Sequence, residues 1–270
     1  MSSSCTSPRR SSNSILFLQY VISRRRLAKS EVPTLTVKRP GEFRITKEAV
    51  EFCNFPEGAT ILDIGCGEGD SSDFLSKNYK LKVTGIDINP DTIEKAKTQY
   101  PELDFKEGDG EFLDGFDSRS YDGVMMECVL SQINLPIEAA HEAYCVLKVG
   151  GKLILSGLYH KEPTEETLKE VKETVDAHQE KHKAGLLTDE EKEHSPSKYK
   201  ANGVLLLDPL RADLYEMGFE ELYFQDKTEE LVTYGAEILM DKGSLDGFID
   251  EKARNKKTGY FLLILEKKVR

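Results

Sequence analysis

Short apolar runs alternate with amphipathic stretches along most of the chain. The runs predict strands near residues 60–64, 82–88, 103–106, 121–126, 152–158, 219–225 and 260–265. The stretches between them predict helices, and one places Ile137, Ala140, Tyr144 and Leu147 on one face, with spacings of three and four residues. Strands that alternate with amphipathic helices indicate an α/β fold, with a mostly parallel sheet covered on both faces.

The first predicted strand runs into a turn with three alternate glycines. Ile61 to Ile64 is followed by Gly65, Gly67 and Gly69, and a helix is predicted from Ser71. Glycine adopts positive φ at little cost and allows a ligand close to the backbone, while a helix start offers free N–H groups. The pattern therefore indicates a ligand-binding turn, and a glycine-rich turn without a ligand is the alternative.

The spacing of these glycines bears on the ligand. A dinucleotide fold favours G-x-G-x-x-G, whereas the third glycine here comes one residue early. Asp63 also lies at the end of the strand, where a carboxylate would disfavour a pyrophosphate but tolerate a cationic ammonium and sulfonium. An NAD-dependent oxidoreductase is therefore the less favoured interpretation.

The run D-x-G-x-G-x-G resembles motif I of class I S-adenosylmethionine-dependent methyltransferases. This resemblance implies a three-layer, Rossmann-like sheet of seven strands, mostly parallel, with an antiparallel last strand between the fifth and sixth. It implies S-adenosyl-L-methionine as the cofactor, bound by a motif I that comprises Asp63, Gly65, Cys66, Gly67 and Gly69.

Two further segments lie in register with motif I. Asp87 ends the second strand, where a carboxylate can accept both ribose hydroxyls, and Ile88 beside it can pack on the adenine. Dinucleotide folds share that acidic residue, so it does not choose the cofactor alone. Gly108-Asp109-Gly110 resembles the family's G-D-A segment, which implies that Asp109 binds the adenine amino group and Gly110 meets the ring. Simple turn chemistry is the alternative for both segments.

The segment after the fourth strand, residues 121–132, also resembles the family. Glu127 is expected to face the sulfonium, and Ser131 and Gln132 stand where many relatives carry a histidine. The candidates for the methyl-transfer side are therefore Glu127, Ser131 and Gln132. Tyr159 and His160, at the end of the fifth strand, are candidate acid–base or substrate-binding groups.

Four segments carry a finer resemblance: Arg39-Pro40-Gly41, residues 127–131, Gly243-Ser244-Leu245 and residues 259–263. Together they resemble a bacterial group of type 11 small-molecule methyltransferases with no assigned substrate. The resemblance covers about residues 38–268, and it implies a small-molecule acceptor. Arsenite methyltransferases are distant relatives that rely on paired reactive cysteines, for which no counterpart is found in this sequence. Because the histidine is replaced, a non-catalytic S-adenosylmethionine-binding partner subunit is the alternative.

Composition limits the classes of partner and ligand that are expected for the protein. The net charge of −11 disfavours a nucleic-acid substrate. The five cysteines are scattered, without C-x-x-C or zinc-ligand spacing, which fits a reducing compartment such as the cytoplasm. His178 and His182 lack a third ligand, so we expect no metal. No apolar stretch reaches the roughly 18 residues of a membrane span, so we expect no membrane partner.

Residues 31–270 are predicted to form one domain, and two segments of the chain, one before this domain and one inserted within it, differ from the rest. Residues 1–30 contain nine Ser, five Arg and no acidic residue, and are expected to be a disordered or organelle-targeting leader. In the second case the protein would be in the mitochondrial matrix or another organelle. Residues 161–206 are expected to be a helical lid over the acceptor site, with a thin apolar stripe of Leu168, Val171 and Val175.

Overall fold

The computed structural model describes residues 39–188, 191, 196–246, 251–254 and 257–269. The strands are β1 Thr60–Ile64, β2 Lys82–Asp87, β3 Asp104–Glu107, β4 Tyr121–Glu127, β5 Leu147–His160, β6 Lys200–Ala201, β7 Val204–Leu205, β8 Phe219–Asp226 and β9 Thr258–Lys267. The helices are α1 Arg44–Cys53, α2 Asp70–Tyr79, α3 Pro90–Gln99, α4 Pro136–Val146, α5 Glu165–Lys183, α6 Leu207–Met217 and α7 Thr228–Lys242, with a 3-10 helix at Glu251–Arg254. The expected leader, residues 1–30, lies outside the described residues.

The long strands form one mixed sheet in the order β3-β2-β1-β4-β5-β9-β8. The first five are parallel, and β9 pairs antiparallel with both β5 and β8. The prediction of an α/β sheet, mostly parallel with an antiparallel last strand inserted near the end, is confirmed.

The strand count needs a correction. Within the described residues the sheet has nine strands, because β6 and β7 form a hairpin of two-residue strands. This hairpin extends the sheet where Tyr159 pairs with Leu205. Strand β5 also begins earlier than expected, since Leu147 pairs with Tyr121 before a register shift at the Gly150-Gly151 turn. Strands β6 and β7 have only two residues each, too few for an apolar run that the sequence could show.

Apolar side chains pack on both faces of the sheet, as a three-layer fold requires. On β4, Val124 and Met126 pack on the face covered by α4 and α6, whereas Met125 packs on the opposite face against α1 and α2. Strand β9 is buried on both faces: Phe261 and Leu263 belong to the first cluster and Leu262 and Ile264 to the second. The central strands are therefore fixed, and their carboxyl ends form a rigid edge for a site.

Helix α5 is attached much more loosely. It has no buried residue, and Leu168 in its expected apolar stripe is 42% exposed. A cleft of about 490 Å³ separates it from the β6–β7 hairpin and is lined by Val171, Val175 and Lys200, among others. None of the helices in the described ranges combines the length and apolar composition that a membrane crossing needs.

Candidate functional site

A cleft of about 390 Å³ opens at the carboxyl ends of β1, β2 and β4. Seven of the residues singled out in the sequence line it: Gly65, Asp87, Ile88, Asp109, Gly110, Glu127 and Gln132. The rest of its lining is Ile64, Gly108, Glu111, Cys128, Val129, Ile133 and Asn134. Carboxyl ends of parallel strands are where open α/β sheets bind ligands, so the topology brings these distant residues to one place.

The glycine turn after β1 has the backbone conformation that glycine favours. Gly65, Gly67 and Gly69 have φ values of 73°, 54° and 89°. A Cβ on Gly65 would lie 2.2 Å from the side chain of Val129, so close packing requires this glycine. A Cβ on Gly67 would meet no atom within 4 Å. The turn is therefore open at Gly67, where a ligand can approach the backbone.

Asp87 joins the end of β2 to this turn. One carboxylate oxygen accepts the backbone N–H of Gly67 at 3.0 Å, and the other accepts that of Asn89 at 2.9 Å. A carboxylate has about four acceptor positions, so Asp87 can still accept hydroxyl groups from the cleft. Ile88 beside it is 68% exposed and offers an apolar surface to a flat ring.

Asp109 and Gly110 form a tight turn after β3. The Asp109 carboxylate accepts the N–H of Glu111 at 2.9 Å, and its carbonyl accepts that of Phe112 at 3.0 Å. A Cβ on Gly110 would lie 2.6 Å from the side chain of Ile64, so packing against β1 requires glycine here. The turn therefore holds a carboxylate and bare backbone against one wall of the cleft.

Glu127, at the end of β4, belongs to a buried polar network. Its side chain is 4% exposed, and Arg39 Nη1 lies 3.0 Å from its carboxylate. The Thr46 hydroxyl donates to Glu127 at 2.9 Å and accepts from Arg39 Nη2 at 2.9 Å, while Arg39 Nη1 also donates to Ser71 at 2.6 Å. The network ties α1 and the segment before it to β4 and α2.

Arg39 and Thr46 are not among the site residues predicted from the sequence. Arg39 contributes to that prediction only through the Arg39-Pro40-Gly41 segment of the family resemblance. Thr46 lies in the first turn of α1, which begins at Arg44, and it is fully buried. The hydroxyl of Thr46 among apolar helix positions was a signal visible in the sequence. Its partner Glu127, 81 residues away, could not be predicted from the sequence.

Asp63 lies beneath the cleft rather than on its surface. It is 2% exposed, and the Ser72 hydroxyl donates to it at 2.7 Å. Burial raises the pKa of Asp63 to about 7; the nearby Glu127 and Asp87 add to the rise, and Ser72 and Arg39 oppose it. This carboxyl therefore changes its charge near neutral pH.

Cys66 and Gly69 of motif I are constrained mainly by packing. The Cys66 thiol is buried with Phe105, Ile93 and Ala96, and burial raises its pKa. A Cβ on Gly69 would lie 2.6 Å from Phe105. Only the backbone at these positions can serve a ligand in the cleft.

The remaining candidates, Gln132, Ser131 and His160, lie in different surroundings. Gln132 is exposed in the cleft lining, and its amide donates to the Cys128 carbonyl at 2.8 Å. Ser131 is half-buried on the same loop and does not line the cleft. His160 is half-buried, burial lowers its pKa, and its Nδ1 has no hydrogen-bond partner among the described residues.

Tyr159 requires a correction. Its ring is buried against Phe224 and Phe261, and its hydroxyl donates to Asp226 at 3.0 Å. Burial and this hydrogen bond raise the pKa of Tyr159 to about 12. Because alternate residues of a strand face opposite sides, β5 directs this ring into the core, where it cannot serve as an acid or base for the cleft.

The structure instead brings Cys128 and Tyr260 together beside Glu127. Cys128 has a φ of 62°, and its sulfur lies 2.7 Å from the Tyr260 hydroxyl. Burial is the main cause of the raised pKa of the Cys128 thiol, which stays protonated at neutral pH. Among the described residues, no group of three or more His, Cys, Asp or Glu side chains is arranged to hold a metal ion.

Comparison with known proteins identifies the part of the chain that builds the cleft. Residues 62–155 match the family model described as a methyltransferase domain. This segment belongs to the methyltransferase domain family. Arsenite methyltransferase of Mus musculus is 36% identical over 118 residues, which cover 38% of this chain and 31% of that protein. The 2-methyl-6-phytyl-1,4-hydroquinone methyltransferase of Synechocystis is 37% identical over 106 residues, which cover 37% of this chain and 32% of that protein.

The matched segment thus spans about a third of the length of these relatives. Among solved structures, the cyclase SpnF superposes with a TM-score of 0.62 over 96% of this chain and 94% of that chain, at 18% identity. This likeness extends the shared fold beyond residues 62–155. At this identity it establishes the fold alone.

Proposed function

We propose that the protein is an S-adenosylmethionine-dependent methyltransferase with a small-molecule acceptor. The observation that carries the proposal is one cleft lined by Gly65 of the glycine turn, Asp87, Asp109 and Glu127. These residues come from four separate segments of the chain, and they are residues that the family resemblance implies for the cofactor. The family match over residues 62–155 includes all four segments.

The cleft suits the chemistry of this cofactor. Asp87 retains acceptor positions for the ribose hydroxyls, and Ile64, Ile88 and Ile133 provide apolar walls for the adenine. Glu127 also lines the cleft and Asp63 is buried beneath it, and their carboxylates would attract the ammonium and sulfonium charges. A cleft of about 390 Å³ lies within the usual range for ligands of this size.

When bound, S-adenosylmethionine supplies an electrophilic methyl group on a sulfonium. The residues of this chain hold and orient the reactants, and such orientation is worth about 7–11 kcal/mol of a barrier. Glu127 is engaged by Arg39 and Thr46, so we assign it to binding and not to proton transfer. We propose Gln132, exposed in the lining, as a contact on the acceptor side, with Ser131 and His160 as further candidates.

The alternative function is a non-catalytic S-adenosylmethionine-binding partner subunit. It is favoured by Ser131 and Gln132, which replace a histidine common in the family, and by the engagement of Glu127 in the buried network. The two functions differ in whether a methyl group leaves the cofactor. The binding residues serve both equally, so the cleft does not distinguish them.

A labelling experiment separates the two functions. The full-length protein is incubated with S-adenosylmethionine carrying a labelled methyl group and with a panel of thiols, phenols, amines, carboxylates and arsenite. Label in a small product, lost in Gly67→Val, supports the enzyme. The other outcome is tight binding of S-adenosylhomocysteine with no label in any small product. If a partner protein added in place of the panel also stays unlabelled, this outcome supports the non-catalytic subunit.

We further propose that residues 161–206 form a lid and that the protein acts in a reducing compartment, either the cytoplasm or an organelle matrix. The lid proposal rests on the loose attachment of α5 and on its position after β5, at the carboxyl edge of the sheet. The compartment rests on the cysteines: Cys53, Cys66, Cys128 and Cys145 are all free thiols.

A further inference from the structure

Two buried carboxyl groups, those of Asp63 and Glu127, lie near a single guanidinium, that of Arg39. Asp63 and Glu127 are 2% and 7% exposed, and the Arg39 side chain is 17% exposed. Arg39 pairs with Glu127 at 3.0 Å, whereas Asp63 accepts its hydrogen bond from Ser72, a neutral group. When both acids are ionised, this part of the site therefore has one positive charge for two negative ones.

The charge of the occupant changes during the proposed reaction. In methyl transfer the S–CH3 bond breaks, its electron pair stays on the sulfur, and the methyl group bonds to the acceptor. The sulfonium becomes a neutral thioether, and the positive charge leaves with the acceptor or with the proton that the acceptor gives to solvent. Substrate and product cofactor therefore differ in charge at a single atom.

We propose that Asp63, together with Glu127, makes the cleft prefer an occupant with a positive charge at the sulfonium position over the neutral thioether. Arg39 limits this preference because it compensates one of the two carboxylates. The inference rests on the proposed function, since it assumes that this cofactor occupies the cleft. Its consequence is that the product cofactor loses this attraction and binds more weakly than the substrate cofactor once the methyl group has left.

The charge state of Asp63 makes this preference depend on pH. Burial raises the pKa of Asp63 to about 7, and the groups that act on it are Glu127 on β4, Asp87 on β2, Arg39 before α1 and Ser72 on α2. The adjacent Cys66 thiol has a pKa raised by burial and is neutral in this range. Asp63 is thus protonated below neutral pH, and the preference is weaker there than above it.

Two unreactive ligands measure the preference directly. Sinefungin carries a protonated amine at the sulfonium position, and S-adenosylhomocysteine carries the neutral thioether. Titration calorimetry on the full-length protein gives the Kd of each at about pH 6 and about pH 8. We expect the ratio of the S-adenosylhomocysteine Kd to the sinefungin Kd to rise with pH in the unmodified protein.

Substitutions at the two ends of the network have opposite effects on this ratio. Asp63→Asn keeps the size and the acceptor for Ser72, and we expect it to lower the ratio about tenfold at pH 8 and to remove its rise with pH. Arg39→Gln should raise the ratio, and Arg39→Lys should restore it. Asp91→Asn removes an exposed carboxylate of α3 that does not line the cleft, and it should leave the ratio unchanged.

Ser72→Ala provides a second route if Asp63→Asn does not fold. It removes the hydrogen bond that lowers the pKa of Asp63, so the rise of the ratio should move to higher pH. A ratio that is independent of pH and unchanged by Asp63→Asn and Ser72→Ala overturns the inference alone. Failure of both ligands to bind overturns the proposed function, and the inference with it.

Discussion

The carboxylate of Asp87 accepts the backbone N–H of Gly67 at 3.0 Å, across 20 residues of sequence. The same carboxylate fixes Asn89 at the start of α3 and faces the cleft. Asp87 therefore has two tasks, which are to hold the glycine turn and to bind a ligand. A substitution at this position affects both tasks, and the choice of variant must separate them.

Asp87→Asn and Asp87→Ala make that separation. Asparagine keeps an oxygen for the Gly67 N–H and loses the charge, whereas alanine loses both. We expect both variants to bind S-adenosylhomocysteine more weakly, since each charge-assisted hydrogen bond to ribose contributes about 1.5–3 kcal/mol, and only alanine to lower the melting temperature clearly. Calorimetry and thermal melting measure the two effects, with Asp91→Asn as the control. Unchanged affinity in Asp87→Ala would remove Asp87 from the binding site.

Gly67 and Gly58 offer a matched pair for testing the glycine turn. They have φ values of 54° and 79°, and a Cβ on either meets no atom within 4 Å. Valine strains the backbone at both positions, so Gly67→Val and Gly58→Val should lower the melting temperature to a similar extent. Only Gly67→Val should abolish binding of S-adenosylhomocysteine, because its side chain fills the ligand's approach. Binding by a folded Gly67→Val protein would show that the turn does not contact the ligand.

Asp63 should make folding stability depend on pH in a defined direction. Its pKa is raised to about 7 by burial, so the folded protein holds a proton that the unfolded chain releases at lower pH. The contribution of Asp63 is therefore most favourable below its unfolded pKa of about 4 and declines as the pH rises to about 7.

Asp63→Asn removes this decline, because its amide is never charged. The melting temperature of the variant should exceed that of the unmodified protein at pH 8 by about 2–4 °C for each kcal/mol recovered, and the difference should shrink towards pH 5. Thermal melts at both pH values in the absence of ligand provide the test. A variant that is less stable at pH 8 would show that the ionised carboxylate is well compensated in the empty site.

Hydrogen exchange should distinguish α5 from the rest of the described fold. Its nineteen residues include none that is buried, so its amides should exchange quickly, while those of β9, buried on both faces, should exchange slowly. A lid should gain protection when S-adenosylhomocysteine and an acceptor are both bound. Strong protection of α5 in the free protein would identify it as a fixed structural helix.

Sequence patterns predicted the elements that depend on local signals. The apolar runs of β1, β4 and β9, and the alternate glycines after β1, identify the sheet and its ligand-binding edge. Two contributions could not be predicted in this way. Strands β6 and β7 are too short for a period, and the ion pair of Arg39 with Glu127 depends on how α1 packs against β4.

Tyr159 is a residue that the sequence suggested for the site but that the structure directs away from the cleft. Its place at the end of β5 put it near the expected site, but the alternation of side chains along a strand decides which way a ring faces. The register of β5 against β9 directs Tyr159 towards Phe261 and Asp226, away from the cleft. Position along a strand is visible in sequence, whereas facing depends on where the strand begins and on its neighbours.

We propose that S-adenosylmethionine binds in the cleft lined by Gly65 of the glycine turn and by Asp87. The most direct measurement is calorimetric titration of the full-length protein with S-adenosylhomocysteine, with NAD as the competing candidate. We expect one S-adenosylhomocysteine to bind per chain, with binding unaffected by Gly58→Val and lost in Gly67→Val, and we expect no binding of NAD. Binding of NAD in place of S-adenosylhomocysteine, or equal binding of S-adenosylhomocysteine by both glycine variants, would contradict the proposal.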